Sequence, residues 1–268
     1  MTITEVEARQ RRPREYDVEL PVGYLDADGR LHRTARLRKM TGHEEALLAD
    51  RKLRANGGKL VTELLNGCLR GLGEITQVNR QIVGELTSPD RNFLLLELRK
   101  LTFGTELEAS YTCPSCRETT LSIEDLDAFP VRMCDSGGPP EIIVQLEDGF
   151  EDRGKDSWYD LLRFRIPIGQ DEERISTIAR ENATKGTNAL LARCLVSVSY
   201  DGEEMPDNRR EALGTKILSD LTMGDRSRIE KAFREEMPGL DLTREIDCQT
   251  CGRPMRTSLD LTAFFTPS

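Results

Sequence analysis

Four of the seven cysteines form two Cys-x-x-Cys pairs, and these are the residues whose type and spacing best suit a chemical role. Cys113 and Cys116 make the first pair, and Cys248 and Cys251 make the second. Structural zinc sites are tetrahedral and take four nitrogen or sulfur ligands, so one pair supplies only half of a site. The sequence therefore predicts one structural zinc ion held by all four thiolates, with no open position for a substrate.

Other uses of these cysteines stay open at the level of the sequence. A thioredoxin-like redox pair stands at the start of a helix after a strand, whereas each pair here falls between two short predicted strands. Four thiolates can also hold an iron–sulfur cluster, and unmetallated or intermolecular pairs are further alternatives. Whether the zinc site lies within one chain or between two chains is equally open.

The remaining cysteines are not predicted to do chemistry. Cys68 and Cys194 lie in apolar helical stretches and are expected to be small buried hydrophobic side chains, and Cys134 is expected to have no role. The odd number of cysteines, together with a charged N-terminus that lacks an apolar signal segment, favours a reducing compartment. The expected location is the bacterial cytoplasm.

The composition narrows the class of protein. The 268 residues carry a net charge of −9, with 37% hydrophobic and 32% charged residues, as in a soluble globular protein. A net negative chain is a poor general binder of nucleic acid, because neutralising phosphates needs a basic face. The longest apolar run, Phe93–Leu96, is far too short to cross a membrane.

The two cysteine pairs open two similar segments of 17 residues, Cys113–Phe129 and Cys248–Phe264, which both end in Asp-Leu-x-Ala-Phe. These segments, and the residues before them, match at an offset of 135. Nearer the N-terminus the offset is 126 or 127, which places an insertion of nine residues between Leu195 and Leu221. Chance similarity is the alternative, but the matches keep their order throughout. The predicted organisation is a flexible N-terminal segment 1–15, a first repeat unit 16–130, a linker 131–141 and a second repeat unit 142–268.

Each unit is predicted to be α+β, with a β-hairpin, helices and a strand–zinc-knuckle–strand end. Alternating residues flank the turn signal Asp26-Ala-Asp-Gly in the first hairpin. A long apolar helix begins at Thr87 or Ser88 and ends at Gly104. In this α+β tandem duplication the two knuckles pair into one four-cysteine site. The predicted strands are 16–22, 31–37, 106–112, 120–123, 141–146 and 158–166, and the predicted helices of the first unit are 43–54, 58–73 and 78–87.

No motif of a catalytic site is found. The sequence lacks a nucleophile elbow, a Walker loop and a zinc-protease helix. Glu172, Glu173 and Asp125 are interpreted as solvated helix faces or caps, and His32 and His43 are expected at the surface. We therefore predict no enzyme activity, no catalytic residues and no small-molecule substrate. Apart from the zinc ligands, no cofactor-binding residues are predicted.

Three segments resemble the baseplate hub assembly chaperone family of contractile phages and its relatives in phage-tail-like contractile injection systems. They are LPVGYLDADGRLHRTARLRKMTGHEEALLA, NGGKLVTELLNGCLRGLG and LTSPDRNFLLLELRKLTFGTELEASYTCPSC. The run Arg38-x-Met-Thr-Gly-x-Glu-Glu45 is also similar to the opening of smaller phage tail assembly chaperones. The first half, about residues 16–130, carries nearly all of this likeness.

The resemblance implies a non-enzymatic protein of tail or baseplate assembly, either a transient chaperone or a minor baseplate component. Its implied partners are hub, spike or tape-measure proteins, with no membrane contact. The alternative is a zinc-ribbon adaptor for nucleic acid or a transcription complex, although acidic residues balance Arg117, Arg253 and Arg256 beside the knuckles. An exposed part of the aromatic set near the knuckles would be the binding surface, unless the set forms a core around the metal: Phe103, Tyr111, Phe129, Phe264 and Phe265.

Overall fold

The protein was analysed as a computed structural model that describes residues 14–135, 137–259 and 265. The predicted flexible segment 1–15 therefore lies almost wholly outside the described residues. The same holds for the end of the second 17-residue segment, including Phe264. Within the described part the chain mixes helices and strands throughout, as predicted.

The first half of the chain begins with a hairpin, continues through helices and ends in a two-stranded ribbon. Its elements are β1 (Glu15–Leu25), β2 (Leu31–Arg38), α1 (Gly42–Ala49), α2 (Arg51–Arg54), α3 (Gly57–Cys68), β3 (Leu69–Leu72), α4 (Arg80–Glu85), α5 (Ser88–Phe103), β4 (Glu106–Thr112), β5 (Thr119–Asp125), a 3-10 turn at Leu126–Ala128 and β6 (Val131–Arg132).

The second half follows the same order and adds a short strand and a helix inside the predicted insertion. Its elements are β7 (Glu141–Asp152), β8 (Ser157–Arg165), α6 (Gly169–Glu181), α7 (Ala183–Cys194), β9 (Leu195–Tyr200), β10 (Glu203–Glu204), α8 (Asp207–Leu213), α9 (Thr215–Asp220), α10 (Met223–Glu236), β11 (Gly239–Leu240), β12 (Thr243–Asp247) and β13 (Pro254–Ser258).

The strands form antiparallel sheets of modest size. The first half has a three-stranded sheet in the order β1-β2-β3, and the second has a four-stranded sheet in the order β10-β9-β8-β7. Three further pairs, β4-β5, β12-β13 and β6-β11, are two-stranded. Buried apolar residues form one cluster beneath each large sheet and a third around the knuckles. None of the helices within residues 14–135 and 137–259 is both long and apolar enough to cross a bilayer.

Two predicted helices of the first half differ from the structure. The predicted helix 58–73 ends at Cys68, because Leu69–Leu72 leaves the helix and pairs with β2 as a third strand. The predicted helix 43–54 is broken at Asp50, whose side chain accepts hydrogen bonds from the amides of Lys52 and Leu53. Asp50 thereby caps a second short helix, a competing local bond that helical periodicity does not reveal.

Each hairpin is fastened to the long helix that follows it by one buried carboxylate. Asp90, in the first turn of α5, accepts bonds from the amides of Val22 (2.8 Å) and Gly23 (3.1 Å). Asp225, in the first turn of α10, accepts bonds from the amides of Glu147 (2.7 Å) and Gly149 (3.0 Å). Both hairpins bulge at these glycines, which have positive φ, and the carboxylates satisfy amides that the strand pairing leaves free.

A second contact also occurs in both halves, where the hairpin meets the first helix. In the first half Glu44 pairs with Arg38 at 2.7 Å and accepts a bond from the amide of Thr41. In the second half Asp171 pairs with Arg165 at 2.6 Å and accepts a bond from the amide of Ile168. Each acid lies in the first turn of its helix, where a negative charge is favoured.

The two halves meet where α3, α4 and the start of α5 pack against α6. Glu172 pairs with the buried Arg91 at 3.1 Å, and Glu173 pairs with Arg80 at 2.8 Å. The side-chain amide of Asn56 also donates to the carbonyl of Glu173 at 2.8 Å. The prediction that Glu172 and Glu173 form a solvated face is therefore wrong, because both side chains are mostly covered by the other half.

Candidate metal centre

Each Cys-x-x-Cys pair lies in the turn of a two-stranded ribbon. In the first ribbon the amide of Cys113 donates to the carbonyl of Glu118 at 2.9 Å, and the amide of Arg117 donates to the carbonyl of Cys113 at 2.9 Å. The second ribbon repeats both bonds, from Cys248 to Arg253 at 3.0 Å and from Gly252 to Cys248 at 2.8 Å. The predicted arrangement of strand, knuckle and strand is therefore confirmed on both sides.

The residue after the second cysteine has the same unusual backbone conformation in both turns. Gly252 has φ of +66° and Arg117 has φ of +63°. Glycine adopts this left-handed region without a steric penalty, whereas arginine does not. The chain keeps this strained conformation at Arg117 because it is part of the turn that points both cysteines of the pair to one side.

The fold brings all four sulfur atoms together, and every one lies within 4.8 Å of the others. The Sγ atoms of Cys113 and Cys251 are 3.8 Å apart, and those of Cys116 and Cys248 are 3.6 Å apart. Four sulfur atoms at about 2.3 Å from a common metal, in tetrahedral directions, lie about 3.8 Å from one another. The four thiols are therefore compatible with one tetrahedral metal site that takes one pair from each half.

The turns themselves favour thiolates at the first cysteine of each pair. Backbone amides of the turn, above all that of Cys251, lower the pKa of the Cys248 thiol to about 6. The amide of Cys116 likewise lowers the pKa of Cys113. The amide of Glu118 would lower the pKa of Cys116 too, but burial and the neighbouring thiols raise it to about 12. Four thiolates at this spacing repel one another unless a cation offsets their charge.

The centre is half enclosed by an apolar core. Cys113 and Cys248 are 1% and 2% exposed, within the cluster that includes Leu107, Tyr111 and Phe129. Cys116 is partly buried, and Cys251 is exposed. The cysteines that begin the two turns therefore hold the site inside the protein, and the second cysteine of each turn closes it on the side of the solvent.

Contacts between the ribbons fix the two turns relative to each other. Arg244 in β12 bonds to Glu124 in β5 at 3.1 Å and stacks over the ring of Phe129 at 3.6 Å. The side-chain amide of Gln249, which lies between the two cysteines of the second turn, donates to the carbonyl of Leu121 at 2.8 Å. Tyr111 completes the network with a 3.0 Å bond to Glu124. The sequence analysis gave Arg244 and Gln249 no role and counted Tyr111 and Phe129 only in the aromatic set, although opposite charges on two predicted ribbons were the available signal.

The aromatic set near the knuckles divides between core and surface. Tyr111 and Phe129 are buried beside the cysteines, and Phe265 packs partly buried against the same cluster. Phe103 is 59% exposed at the end of α5, where Arg99 lies over its ring at 4.8 Å. Most of the described set is thus core around the metal site, the alternative that the sequence analysis left open.

The other candidate residues fall outside this centre. His32 is only 6% exposed and bonds to Asp26 at 2.8 Å, so the prediction of a surface histidine is wrong; Asp26 stands six residues earlier, across the hairpin turn. His43 is exposed. Burial raises the pKa of both Cys68 and Cys194 to about 12, as expected for small buried hydrophobic residues. Cys134 is also buried, and its amide donates to the carbonyl of Pro21.

An open cleft of about 830 Å³ lies between the tip of the second hairpin and the inserted segment. Trp158 lines it, with its indole nitrogen donating to the carbonyl of Asp148 and its ring edge-on to Tyr200. Arg209 of α8 closes one side through a two-pronged ion pair with the buried Asp152. Every polar group named here is engaged within the protein, which indicates a structural role for the insertion.

Comparison with known protein families gives a match that spans both halves of the chain. The model of a family described as T4 bacteriophage base plate protein matches residues 14–266. No curated protein and no solved structure matches the chain. The matched range includes both cysteine pairs and both hairpins.

Proposed function

This chain belongs to the T4 bacteriophage base plate protein family, and from that premise we propose that it is a non-enzymatic assembly protein of a contractile, phage-tail-like injection particle. It would act as a chaperone of the baseplate hub or as a minor hub component. The observation that carries this proposal is the family match over residues 14–266, because a match across both halves supports a baseplate-related role for the chain as a whole.

We further propose that Cys113, Cys116, Cys248 and Cys251 hold one structural zinc ion. The proposal is supported by the spacing of the sulfur atoms and by the amides that favour thiolates at the first cysteine of each turn. Zinc would supply charge neutralisation and a rigid link between the two ribbons. The link would join residues far apart in sequence, and would hold the end of the second half against the end of the first.

The two halves, we propose, arose by duplication of one unit. Support comes from contacts that recur at matching positions, above all the bonds from Asp90 and Asp225 to the bulged hairpins. A single unit would carry a hairpin, helices and a ribbon with half of a zinc site. Duplication would then supply the second pair of cysteines, without which tetrahedral coordination is incomplete.

The proposed partners are hub, spike or tape-measure proteins of the particle, met in the bacterial cytoplasm. Nucleic acid, a membrane and a small-molecule substrate are not expected partners. The charges around the knuckles are mixed. Arg117, Arg253 and Arg256 are exposed, whereas Arg244 is already engaged by Glu124, and the carboxylates of the first ribbon would repel phosphates.

Deletion of the gene in cells that make the particle tests the proposal. We expect few or no complete particles by electron microscopy, and recovery when the wild-type gene is supplied in trans. Mass spectrometry of purified particles then separates the two roles, because a chaperone is absent from the finished particle and a hub component is present at fixed stoichiometry. Unchanged numbers of complete particles after deletion would refute a role in assembly.

A further inference from the structure

The outer side of the first ribbon carries exposed aliphatic and acidic side chains next to one another. Residues in β4 and β5 alternate, so that Leu107, Ala109 and Tyr111 face the core and their neighbours face outward. On the outward side Ile123 is 76% exposed and Leu121 is 53% exposed. We call this side the ribbon face, and it consists of Glu106, Glu108, Ser110, Leu121, Ile123 and Asp125.

The pairing register places the aliphatic and acidic residues of the ribbon face side by side. Glu108 stands opposite Ile123, Ser110 opposite Leu121, and Glu106 opposite Asp125. No ion pair joins Glu106, Glu108 or Asp125 to a basic group anywhere in residues 14–135 and 137–259. The ribbon face is therefore an apolar strip flanked by three carboxylates, with no positive charge of its own.

The second ribbon has the same architecture and a different outer side. Glu245 stands opposite Arg256 in β12 and β13, and Thr243 stands opposite Ser258. Its exposed apolar side chain is Pro254, next to the turn, whereas Met255 is buried and Ile246 is partly buried. A ribbon that carries a metal turn consequently does not require outward aliphatic residues, so the exposed Leu121 and Ile123 need a separate explanation. The second ribbon also has exposed acids, Glu245 and Asp247, but its outer side includes Arg256.

We propose that the ribbon face is the docking surface for an extended segment of a particle protein that presents aliphatic side chains and lysine or arginine on the same side. This rests on the proposed function and adds the chemistry of the partner. Leu121 and Ile123 would be covered by aliphatic side chains, which is where affinity concentrates in interfaces. The carboxylates would pair with the flanking basic groups and set the specificity and rate of association.

An extended segment fits this surface best. In a strand, alternate side chains point to one side, which matches the two-residue spacing of Leu121 and Ile123 along β5. The Gln249 side chain and the cysteine turns hold β5 in place before the partner arrives.

The first test uses a synthetic probe and the full-length, zinc-loaded protein. The lysine–valine peptide is fluorescent and capped, and it carries lysine and valine in turn at every second position, on one side of a strand, with serine between them. It is titrated, and its anisotropy is measured beside a glutamate–valine peptide, in which glutamate replaces lysine, and a lysine–serine peptide, in which serine replaces valine. We expect saturable binding of the lysine–valine peptide only, weakened by added salt. Equal binding of the lysine–serine peptide would overturn the proposal, because charge alone would then account for it, and so would the absence of binding.

Matched variants locate the binding surface. Leu121→Thr with Ile123→Thr keeps residues that favour strands and is expected to weaken binding of the lysine–valine peptide at least tenfold. Glu106→Gln with Glu108→Gln is expected to weaken it severalfold and to flatten its dependence on salt. The control is Glu245→Gln with Asp247→Asn on the second ribbon, which should change affinity less than twofold. An equal loss in the control would mean attraction by bulk charge, against the proposal.

The second test is made in cells that assemble the particle. A photo-crosslinking residue at position 123 is expected to capture a particle protein through a basic, aliphatic segment, whereas the same residue at the matching exposed position of the second ribbon, 258, captures none. A crosslink to a second copy of this chain, or no crosslink at all, would overturn the proposal. If gene deletion abolishes particles but the Leu121→Thr, Ile123→Thr variant restores them fully, the ribbon face is refuted and the assembly role stands. If deletion has no effect, the assembly role itself fails.

Discussion

Buried acidic side chains at matching positions make the same kinds of contact in both halves of this protein. A buried aspartate fastens each hairpin to its long helix, and a second buried acid pairs with the arginine that ends the hairpin. Such groups are costly to bury unless every oxygen is bonded, and here backbone amides and guanidinium groups provide the bonds. The four cysteines of the metal centre also depend on one another, because each pair supplies only half of the ligands.

The metal ligands can be tested by counting bound zinc. We expect native mass spectrometry to find one zinc per chain in the wild type and none in Cys113→Ser or in Cys248→Ser, because a tetrahedral site that lacks one of its buried thiolates binds zinc far more weakly. Cys134→Ser, which changes a buried cysteine outside the site, should retain the metal. Zinc that appears only in dimers would mean that the pairs meet between chains.

Glu44 gives a prediction for pH dependence. Burial alone would raise its pKa, but the Arg38 guanidinium and the amide and hydroxyl of Thr41 lower it from its usual 4.5 to about 2. Because the pKa is lower in the folded state, this stabilisation is present above pH 4.5 and is lost as the pH falls towards 2. Glu44→Gln should therefore cost about 1–3 kcal/mol of unfolding free energy at pH 7.

Urea denaturation across this pH range measures the effect. The difference between wild type and Glu44→Gln should shrink steadily from pH 4.5 to pH 2. Glu45→Gln is the control, since Glu45 is the exposed neighbour in the same helical turn, and it should change stability by less than about 0.5 kcal/mol at any of these pH values. A difference that stays constant with pH would contradict the role given to the Glu44 carboxylate.

At the scale of elements, the contact between α3 and α6 depends on a glycine. The start of α3 lies so close to α6 that a Cβ at Gly58 would meet the backbone nitrogen of Glu173 at 2.6 Å. Thr184 stands at the matching place in α7 of the second half. A side chain there would obstruct an equally close approach of another helix to the start of α7.

Gly58→Ala should destabilise the protein even though alanine favours helices. The better helix propensity would stabilise by up to about 1 kcal/mol, but the clash with α6 should outweigh it and leave a net loss of about 1–3 kcal/mol. Gly57→Ala is the matched control, because a Cβ there meets nothing within 4 Å, and it should be neutral or slightly stabilising. Thermal unfolding of both variants decides the matter, and equal melting temperatures would contradict the close helix contact.

In the whole molecule the halves touch in two different ways. At the cysteines each contact has a counterpart with the roles of the two halves reversed, since the pair Cys113–Cys251 corresponds to the pair Cys248–Cys116. At the helices they do not, because Arg91 reaches across to Glu172 while its counterpart Arg226 bonds within its own half to Asn188. The two halves are therefore related by a two-fold exchange at the knuckles and not at the helix contact.

This separation predicts a local response to loss of the metal. With zinc chelated, hydrogen exchange should quicken in the ribbons, residues 106–125 and 243–258, because their turns lose the shared ion. The contact of α3 with α6 and the cores beneath the large sheets should keep their protection, since buried apolar side chains hold them. Global unfolding on chelation, or unchanged exchange in both ribbons, would contradict this division.

Local pattern was enough to predict much of this protein. Alternation predicted both hairpins and the strand 106–112, and the capping residue Thr87 with Gly104 predicted the ends of the long helix. The spacing of the cysteines, with the repeat around them, predicted that the two pairs meet. These features depend on residues close together in sequence or on a repeated pattern, and both are visible without coordinates; the boundaries of the units stay a prediction.

Which polar residues form hydrogen bonds or ion pairs between distant elements depends on the tertiary fold. Glu172 and Glu173 look like a solvated face until α3 and α5 cover them, and Asp90 looks like a first-turn charge until a hairpin bulge presents its amides. Likewise Leu69–Leu72 continues a helical pattern and becomes a strand because β2 offers it an edge. Composition and periodicity record what a residue prefers locally, whereas its hydrogen-bond partners depend on which segments the folded chain brings together.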